Sequence, residues 1–176
     1  MTADPFVVPI TSFRHQHGVR REEHRRGPIG EVAVTASRLA PGGEADADVV
    51  LEVADGGIVV SGVVDAPWVG ECCRCLKPVK GTTKLDVQEL YRVRAEGEGP
   101  NEDEETYPLG HETLDLRPLV RDAVVLGLPM APLCWPDCAG LCSQCGADLN
   151  AGECSCPKQL GDPRWAALDV LRSDTE

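Results

Sequence analysis

The sequence is short of aromatic residues and of positive charge. Aromatic side chains make up 4% of the 176 residues, which argues against a broad platform on which nucleobases stack. The 29 acidic and 17 basic residues give a formal charge of −12. A protein that coats nucleic acid needs a basic field, so this charge excludes a general coat but leaves room for a local basic patch.

The chain also lacks a long apolar run, and its first residues predict no leader segment. Its longest uninterrupted apolar run, residues 123–130 with Gly127 counted in, is too short to cross a bilayer. The first residues, Met1 to Pro5, carry neither a basic segment nor an apolar one, so no signal peptide is predicted. We therefore expect a cytoplasmic protein with no membrane partner, in a compartment where thiols stay reduced.

Sequence motifs for catalysis are missing as well. The chain contains no phosphate-binding G-x-x-x-x-G-K-[ST] loop, no G-x-G-x-x-G after a strand, no H-E-x-x-H and no G-x-S-x-G. No pair of nucleophile and base can be assigned. The sequence thus predicts a protein that is not an enzyme and that takes no small-molecule substrate.

What the sequence does have is nine cysteines, an odd number that no disulfide scheme pairs completely. In a reducing compartment this number indicates metal ligation rather than disulfides. One cysteine, Cys73, is left over. The other eight form four close pairs: Cys72 with Cys75, Cys134 with Cys138, Cys142 with Cys145, and Cys154 with Cys156.

These pairs predict two structural zinc ions, because zinc takes four thiolates and short loops bring two of them at a time. The favoured partition joins the last four cysteines, Cys142 to Cys156, in one local site. The second site then joins Cys72 and Cys75 to Cys134 and Cys138. A rival partition groups Cys134, Cys138, Cys142 and Cys145. Ligation by cysteine alone leaves no open position for water, so a catalytic zinc is not expected.

Other cysteine chemistry fits less well. None of the usual ferredoxin spacings is present, which argues against an iron–sulfur cluster. A thiol redox role for Cys72 and Cys75 would need a helix N-terminus in a βαβ unit, whereas here the pair lies between predicted strands. Thiol redox chemistry remains the alternative from a different functional class.

The hydrophobic pattern predicts an α+β fold in which an antiparallel β meander is packed by one central and one C-terminal helix. Residues 46–53 alternate before the turn Asp55-Gly56-Gly57, and a β-branched run follows it, which is typical of a hairpin. Residues 82–94 alternate again. Asp115 is a suitable cap for a helix over 115–127, and Asp162-Pro163 is typical of the start of a second helix.

The composition divides the chain into three parts. Residues 1–30 form a basic N-terminal arm, in which 14–26 have no hydrophobic period and are expected to be a solvated loop or helix face or a contact to phosphate. Residues 31–130 form a β-rich core domain with an acidic loop at 95–113. Residues 131–176 form a cysteine-rich zinc segment and a C-terminal helix.

Several segments together resemble a known family. These are Cys72-x-Arg74-Cys75-Leu76, the acidic loop, Leu114-Asp115-Leu116 before an apolar helix, and the segment from Cys138-x-Gly140-Leu141-Cys142 through Asn150. The chain is similar over about residues 30–172 to the large ribosomal RNA subunit accumulation protein family (YceD-like). That resemblance implies a bacterial or plastid protein without enzymatic activity that supports synthesis, processing or stability of large-subunit (23S) ribosomal RNA.

The resemblance also carries expectations about individual cysteines. It implies that Cys72, Cys75, Cys134 and Cys138 form the more general site of the family and that Cys142 to Cys156 are an elaboration. Cys73 departs from the usual C-x-R-C pattern.

Two mechanisms reconcile this family with an acidic chain, and both imply the precursor large subunit as partner. In one, a basic face docks on RNA. In the other, the acidic surface engages a basic ribosomal protein. An accessory role beside an RNA-processing nuclease is a further alternative. The candidate RNA-contacting residues are Arg14, Arg20, Arg21, Arg25, Arg26, Lys77, Lys80 and Lys84.

Overall fold

A computed structural model describes residues 4–93 and 106–157 of the chain. It contains eight β-strands and one α-helix among these residues. In chain order they are β1 (Val7–Pro9), β2 (Arg20–Gly27), β3 (Ser37–Leu39), β4 (Ala45–Ala54), β5 (Gly57–Glu71), β6 (Pro78–Arg92), β7 (Tyr107–Pro108), β8 (Thr113–Asp115) and α1 (Arg117–Gly127).

The centre of the fold is an antiparallel meander of β4, β5 and β6, as the alternating pattern predicts. Strands β4 and β5 are joined by a two-residue turn, Asp55-Gly56, in which Gly56 has a φ of 89°. Glycine takes this left-handed conformation without steric cost, which suits a tight hairpin. Strands β5 and β6 are paired over all but one residue of each, from Ile58–Tyr91 to Glu71–Pro78.

Strand β2 extends this sheet at one edge, where the sequence predicted a loop or helix face within a basic arm. It pairs antiparallel with β4 along all eight of its residues. The missing signal has a physical reason: every residue from Arg20 to Arg26 is charged or a histidine, so no apolar alternation marks the strand. Charged side chains are common on edge strands, where they oppose pairing with other chains.

The main hydrophobic core lies on one face of this sheet. Alternate residues of β4 and β5 are buried there, and α1 packs its apolar side chains against them. The two-stranded sheet of β1 and β8 adds to the same core. The largest fully buried side chains are Tyr91, Phe6, Ile10, Leu51, Ile58, Leu114, Leu116, Leu119, Val8, Val60, Val64 and Val120.

The α+β class is confirmed, since a mostly antiparallel sheet packs with one helix. The predicted start of the helix is two residues too early. Asp115 belongs to β8 and pairs with Val7, and its carboxylate accepts a hydrogen bond from the N–H of Arg117, the first residue of α1. The cap position is taken by Leu116.

Part of the predicted acidic loop is strand. Tyr107–Pro108 pairs parallel with the end of β6, and Thr113–Asp115 pairs with β1. The most acidic part of the predicted loop and the predicted C-terminal helix lie outside the described residues. Within the described ranges, the structure has no helix that is long and apolar enough to cross a membrane.

Candidate metal centres

The first cluster of four cysteines joins the β5–β6 hairpin to the segment that follows α1. Cys72 and Cys75 lie in the turn between the two strands. The N–H of Cys73 donates to the carbonyl of Pro132 at 2.9 Å, which holds the later segment beside this turn. As a result, one sulfur atom from each of four cysteines lies within 4.8 Å of the others; these are Cys72, Cys75, Cys134 and Cys138.

The sulfur spacing in this cluster suits a tetrahedral ion. The sulfurs of Cys72 and Cys138 are 3.8 Å apart, and those of Cys75 and Cys134 are 3.5 Å apart. Thiolates at about 2.3 Å from a tetrahedral zinc ion are about 3.8 Å from one another. A disulfide needs about 2.05 Å, and all nine cysteines are free.

The first cluster has a small core of its own. Cys72, Cys75 and Cys138 are buried, and the partly buried side chains of Val79, Leu133 and Leu141 pack around them. This core is separate from the main one. Few apolar side chains are available to stabilise it, so we expect its stability to depend on what the sulfurs bind.

The second cluster is formed within a short stretch of chain. One sulfur from each of Cys142, Cys145, Cys154 and Cys156 lies within 4.8 Å of the others. A bridge between Leu141 and Asp148 closes the turn that carries the first pair. The two clusters are the sets of four in the favoured partition, because Cys134 and Cys138 lie with Cys72 and Cys75 rather than with Cys142 and Cys145.

Both clusters use the same turn for their first two cysteines. In the first, the N–H of Cys72 donates to the carbonyl of Lys77 and the N–H of Leu76 donates to the carbonyl of Cys72, at 2.8 and 2.9 Å. In the second, Cys142 takes the place of Cys72, and the two distances are again 2.8 and 2.9 Å. This arrangement aims both sulfurs of a C-x-x-C pair to one side.

The turn requires a left-handed residue directly after its second cysteine. Gly146 has a φ of 73° in the second turn, and Leu76 has a φ of 60° at the same place in the first. A leucine in this conformation is strained, and its side chain is 60% exposed. Such strain persists where the surrounding contacts fix the backbone, as the two hydrogen bonds of this turn do.

The thiols within each cluster differ in acidity. Burial opposes the ionisation of Cys72, but hydrogen bonds from the N–H groups of Cys75 and Cys134 outweigh it and lower the pKa of Cys72 to about 6. Burial and the neighbouring thiol of Cys138 raise the pKa of Cys134 to about 12. A divalent ion would let all four thiols of the cluster ionise by displacing their protons.

The second cluster repeats this contrast. Hydrogen bonds from the N–H groups of Cys145 and Gln144 lower the pKa of Cys142 to about 6. The neighbouring thiol of Cys145, together with burial, raises the pKa of Cys156 to about 12. Four soft sulfur donors at this spacing fit zinc, and they leave no ligand position for water.

Cys73 stands outside both clusters. It is exposed, and neither group of four sulfurs includes it. Its backbone helps to align the two halves of the first cluster, although its side chain does not take part.

The N-terminal arginines on the outer face of β2 are paired with carboxylates. Arg20 lies 2.8 Å from Glu52 on the neighbouring strand, and Arg26 lies 3.1 Å from Glu44. Cross-strand neighbours place Arg26 in one row with Asp46, Asp65 and Lys84, so acidic residues separate the basic ones.

The arginines on the inner face of β2 share one carboxylate. Arg21 and Arg25 lie 2.6 and 2.7 Å from the two oxygens of Glu23, whose side chain is 8% exposed. Arg14 donates to the carbonyl of His111. These three arginines are therefore engaged within the fold.

The predicted lysines fall into two groups. Lys77 lies 2.7 Å from Asp148, and this contact lowers the pKa of Asp148 to about 2. Lys80 and Lys84 are exposed on β6 and form no ion pair with any described residue. An RNA contact by the eight residues stays a prediction.

Sequence reasoning missed the contacts that three residues make near the clusters. Arg74 donates to the carbonyl of Cys138, so it joins the two halves of the first cluster. Asp148 and Asn150 bond to each other, Asn150 bonds to the sulfur of Cys138, and Asp148 pairs with Lys77 beside the first cluster. The spacing Asp148-x-Asn150 is typical of a turn in which the aspartate accepts from the later N–H. The contacts that these residues make with distant parts of the chain have no local sequence signal.

Comparison with known proteins agrees with these features. The family model "Large ribosomal RNA subunit accumulation protein YceD" matches residues 60–172, which include both clusters and α1. An uncharacterized protein of Mycobacterium tuberculosis strain H37Rv is 37% identical over 169 residues, covering 94% of this chain and 81% of its own length. An uncharacterized protein of Mycobacterium leprae is 36% identical over 175 residues, covering 97% and 79%.

A plant protein matches over a shorter stretch. The chloroplastic "Large ribosomal RNA subunit accumulation protein YCED homolog 1" of Arabidopsis thaliana is 31% identical over 75 residues, which is 43% of this chain and 23% of that protein. No solved structure gives a significant match.

Fold and site together define a small α+β protein with two tetracysteine clusters, each able to hold one metal ion. The family match then places it among proteins concerned with large-subunit ribosomal RNA. The chain belongs to the YceD family of large ribosomal RNA subunit accumulation proteins.

Proposed function

We propose that this chain is a non-enzymatic assembly factor, which acts in the cytoplasm and supports the accumulation of 23S ribosomal RNA in the precursor large subunit. The observation that carries the proposal is the family match over residues 60–172. The name of the plant relative, an accumulation protein of the chloroplast, supports the same role.

Each cysteine cluster, in this proposal, binds one zinc ion that has a structural role. The donor set supports this identity, since four thiolates at tetrahedral spacing favour zinc over calcium or magnesium. The residues that would hold the two ions are Cys72, Cys75, Cys134 and Cys138, and Cys142, Cys145, Cys154 and Cys156. The first ion fixes the β5–β6 turn to the segment after α1, and the second fixes the local loop.

The partner is better explained by the acidic surface than by a basic face. Arg20, Arg21, Arg25, Arg26 and Lys77 are each paired with a carboxylate of the chain itself. At a formal charge of −12, the surface is complementary to a basic ribosomal protein. Lys80 and Lys84 remain as the candidates for a contact to RNA phosphate.

The burial of the first cluster argues against the thiol redox alternative. Cys72 is fully buried and Cys75 is 5% exposed, whereas exchange with a substrate disulfide requires an accessible sulfur. The nuclease-adaptor alternative differs from assembly in its partner, so co-purification with a processing nuclease would distinguish it.

The test is sedimentation of a low-salt cell lysate, followed by detection of the protein across the gradient. We expect it in fractions that contain the precursor large subunit, and we expect raised salt to release it, because charge contacts are screened. Cys75→Ser should lose this association, and the adjacent Cys73→Ser should keep it. Absence of the wild-type protein from these fractions at low salt would contradict the proposal.

A further inference from the structure

The two cysteine clusters share a short connecting segment. Only three residues, 139–141, separate Cys138 of the first cluster from Cys142 of the second. This segment is held from both sides: Leu141 donates to the carbonyl of Arg74 at 3.1 Å, and Leu149 donates to the carbonyl of Gly140 at 2.9 Å. A displacement of one cluster would therefore also displace the backbone that carries the other cluster.

Asn150 connects the second cluster's loop to a ligand of the first. Its Nδ2 lies 3.5 Å from the sulfur of Cys138, and its Oδ1 accepts from the N–H of Ala139 at 2.7 Å. The acceptor sulfur and the donor N–H together fix which way the amide points. A hydrogen bond to a thiolate stabilises its negative charge and holds the ligand in place.

Asp148 fixes Asn150 and reaches the first turn as well. One carboxylate oxygen, Oδ1, accepts from the backbone N–H of Asn150 at 2.9 Å and from its Nδ2 at 2.7 Å. The other, Oδ2, lies 2.7 Å from Nζ of Lys77, two residues after Cys75. These contacts connect Lys77 in the turn of the first cluster to Asp148 and Asn150 in the second cluster's loop. From Asn150 they lead back to the sulfur of Cys138, a member of the first cluster.

We propose that Asp148 and Asn150 are positioning residues that couple the two clusters, so that each cluster holds its metal more tightly when the other is occupied. The inference rests on the proposed binding of metal. Four thiolates around a divalent ion carry a formal charge of about −2. Lys77 follows Cys75 by two residues and contacts Asp148 in the turn of the second cluster, so its positive charge offsets part of this negative charge and favours holding both ions at once.

The test measures zinc release from the full-length protein to an excess of a coloured chelator. Asn150→Ala and the milder Asp148→Asn should still load two zinc ions but should release the first-cluster ion about tenfold faster, as is usual when a hydrogen bond to a metal ligand is lost. Asp86→Asn, an exposed aspartate on β6, is the control and should release zinc at the wild-type rate.

The position of the ¹¹³Cd resonance distinguishes the loss of a hydrogen bond to a metal ligand from a general loss of stability. The protein loaded with ¹¹³Cd should give two resonances, and Cys154→Ser/Cys156→Ser should leave only that of the first cluster. Asn150→Ala should shift this first-cluster resonance, because Nδ2 no longer bonds to the Cys138 sulfur. In the Cys154→Ser/Cys156→Ser protein, Asn150→Ala should have a smaller effect on the rate of zinc release, because the second cluster no longer positions Asn150.

Two outcomes would overturn the proposal. If both variants release their two zinc ions at the wild-type rate and the cadmium resonance does not shift, the coupling is contradicted. The proposal that the clusters bind metal would then still stand. A wild-type chain that takes up neither zinc nor cadmium would contradict both.

Discussion

Nζ of Lys77 lies 2.7 Å from Oδ2 of Asp148, and these two residues belong to the turns of different cysteine clusters. Lys77 is one of the residues predicted to contact RNA, and here it is paired with a carboxylate of the protein itself. The same is true of the arginines of β2, which are paired with carboxylates on their own or the neighbouring strand and on the loop before β4. Five of the eight basic residues predicted to contact RNA are therefore paired with carboxylates of the protein itself.

The edge strand depends on the carboxylate shared by Arg21 and Arg25. Glu23→Gln should lower the free energy of unfolding by about 1–3 kcal/mol, because two partly buried guanidinium groups lose a charged partner. The adjacent Glu22 is exposed, so Glu22→Gln should stay within about 0.5 kcal/mol of the wild type. Urea unfolding of both variants checks this, and equal midpoints would contradict it.

The two tyrosines beside α1 should differ in their contributions to stability. Tyr91 is fully buried and its hydroxyl donates to the carbonyl of Asp115 at 3.1 Å, so Tyr91→Phe should cost about 1 kcal/mol. Tyr107 stacks on Tyr91 but donates to the exposed carboxylate of Asp122. Tyr107→Phe should cost less when both are compared by thermal unfolding, and the reverse order would count against this packing.

His24 should make stability depend on pH around neutrality. Its hydrogen bond to Asp48, with the nearby charge of Asp46, raises the pKa of His24 above 6.5. The stabilisation is fully present below pH 6.5 and is lost as the pH rises through the raised value. Unfolding measured from pH 5.5 to 8.5 should show this loss in the wild type and not in His24→Gln. Identical profiles would show that the contact has no effect.

Phosphate contacts are expected from Lys80 and Lys84 rather than from the arginines of β2. Lys80→Gln/Lys84→Gln should weaken low-salt binding to precursor large-subunit RNA and should reduce the slope of affinity against salt by up to about 2. Arg20→Gln/Arg26→Gln is the matched control, because both residues already have carboxylate partners. A larger loss in the arginine variant would reverse this assignment.

Local patterns were sufficient for the meander and for the cysteine pairs. The alternation in residues 46–53 and the Asp55-Gly56 turn act over short distances, and C-x-x-C spacing is itself a turn signal. The pairing of β2 could not be seen, because the strand has no apolar alternation and its partner β4 lies far away in the sequence, with Glu52 opposite Arg20. The helix start was wrong for the same reason, since Asp115 is held in β8 by Val7.

The most direct test of the central claim is the ratio of large- to small-subunit ribosomal RNA in cells depleted of this protein. We expect the ratio to fall on depletion and to recover with the wild-type protein or with Cys73→Ser, whose side chain lies outside both clusters. Cys75→Ser should not restore it, because the first cluster loses a ligand. An unchanged ratio after depletion would contradict the role in accumulation of large-subunit ribosomal RNA.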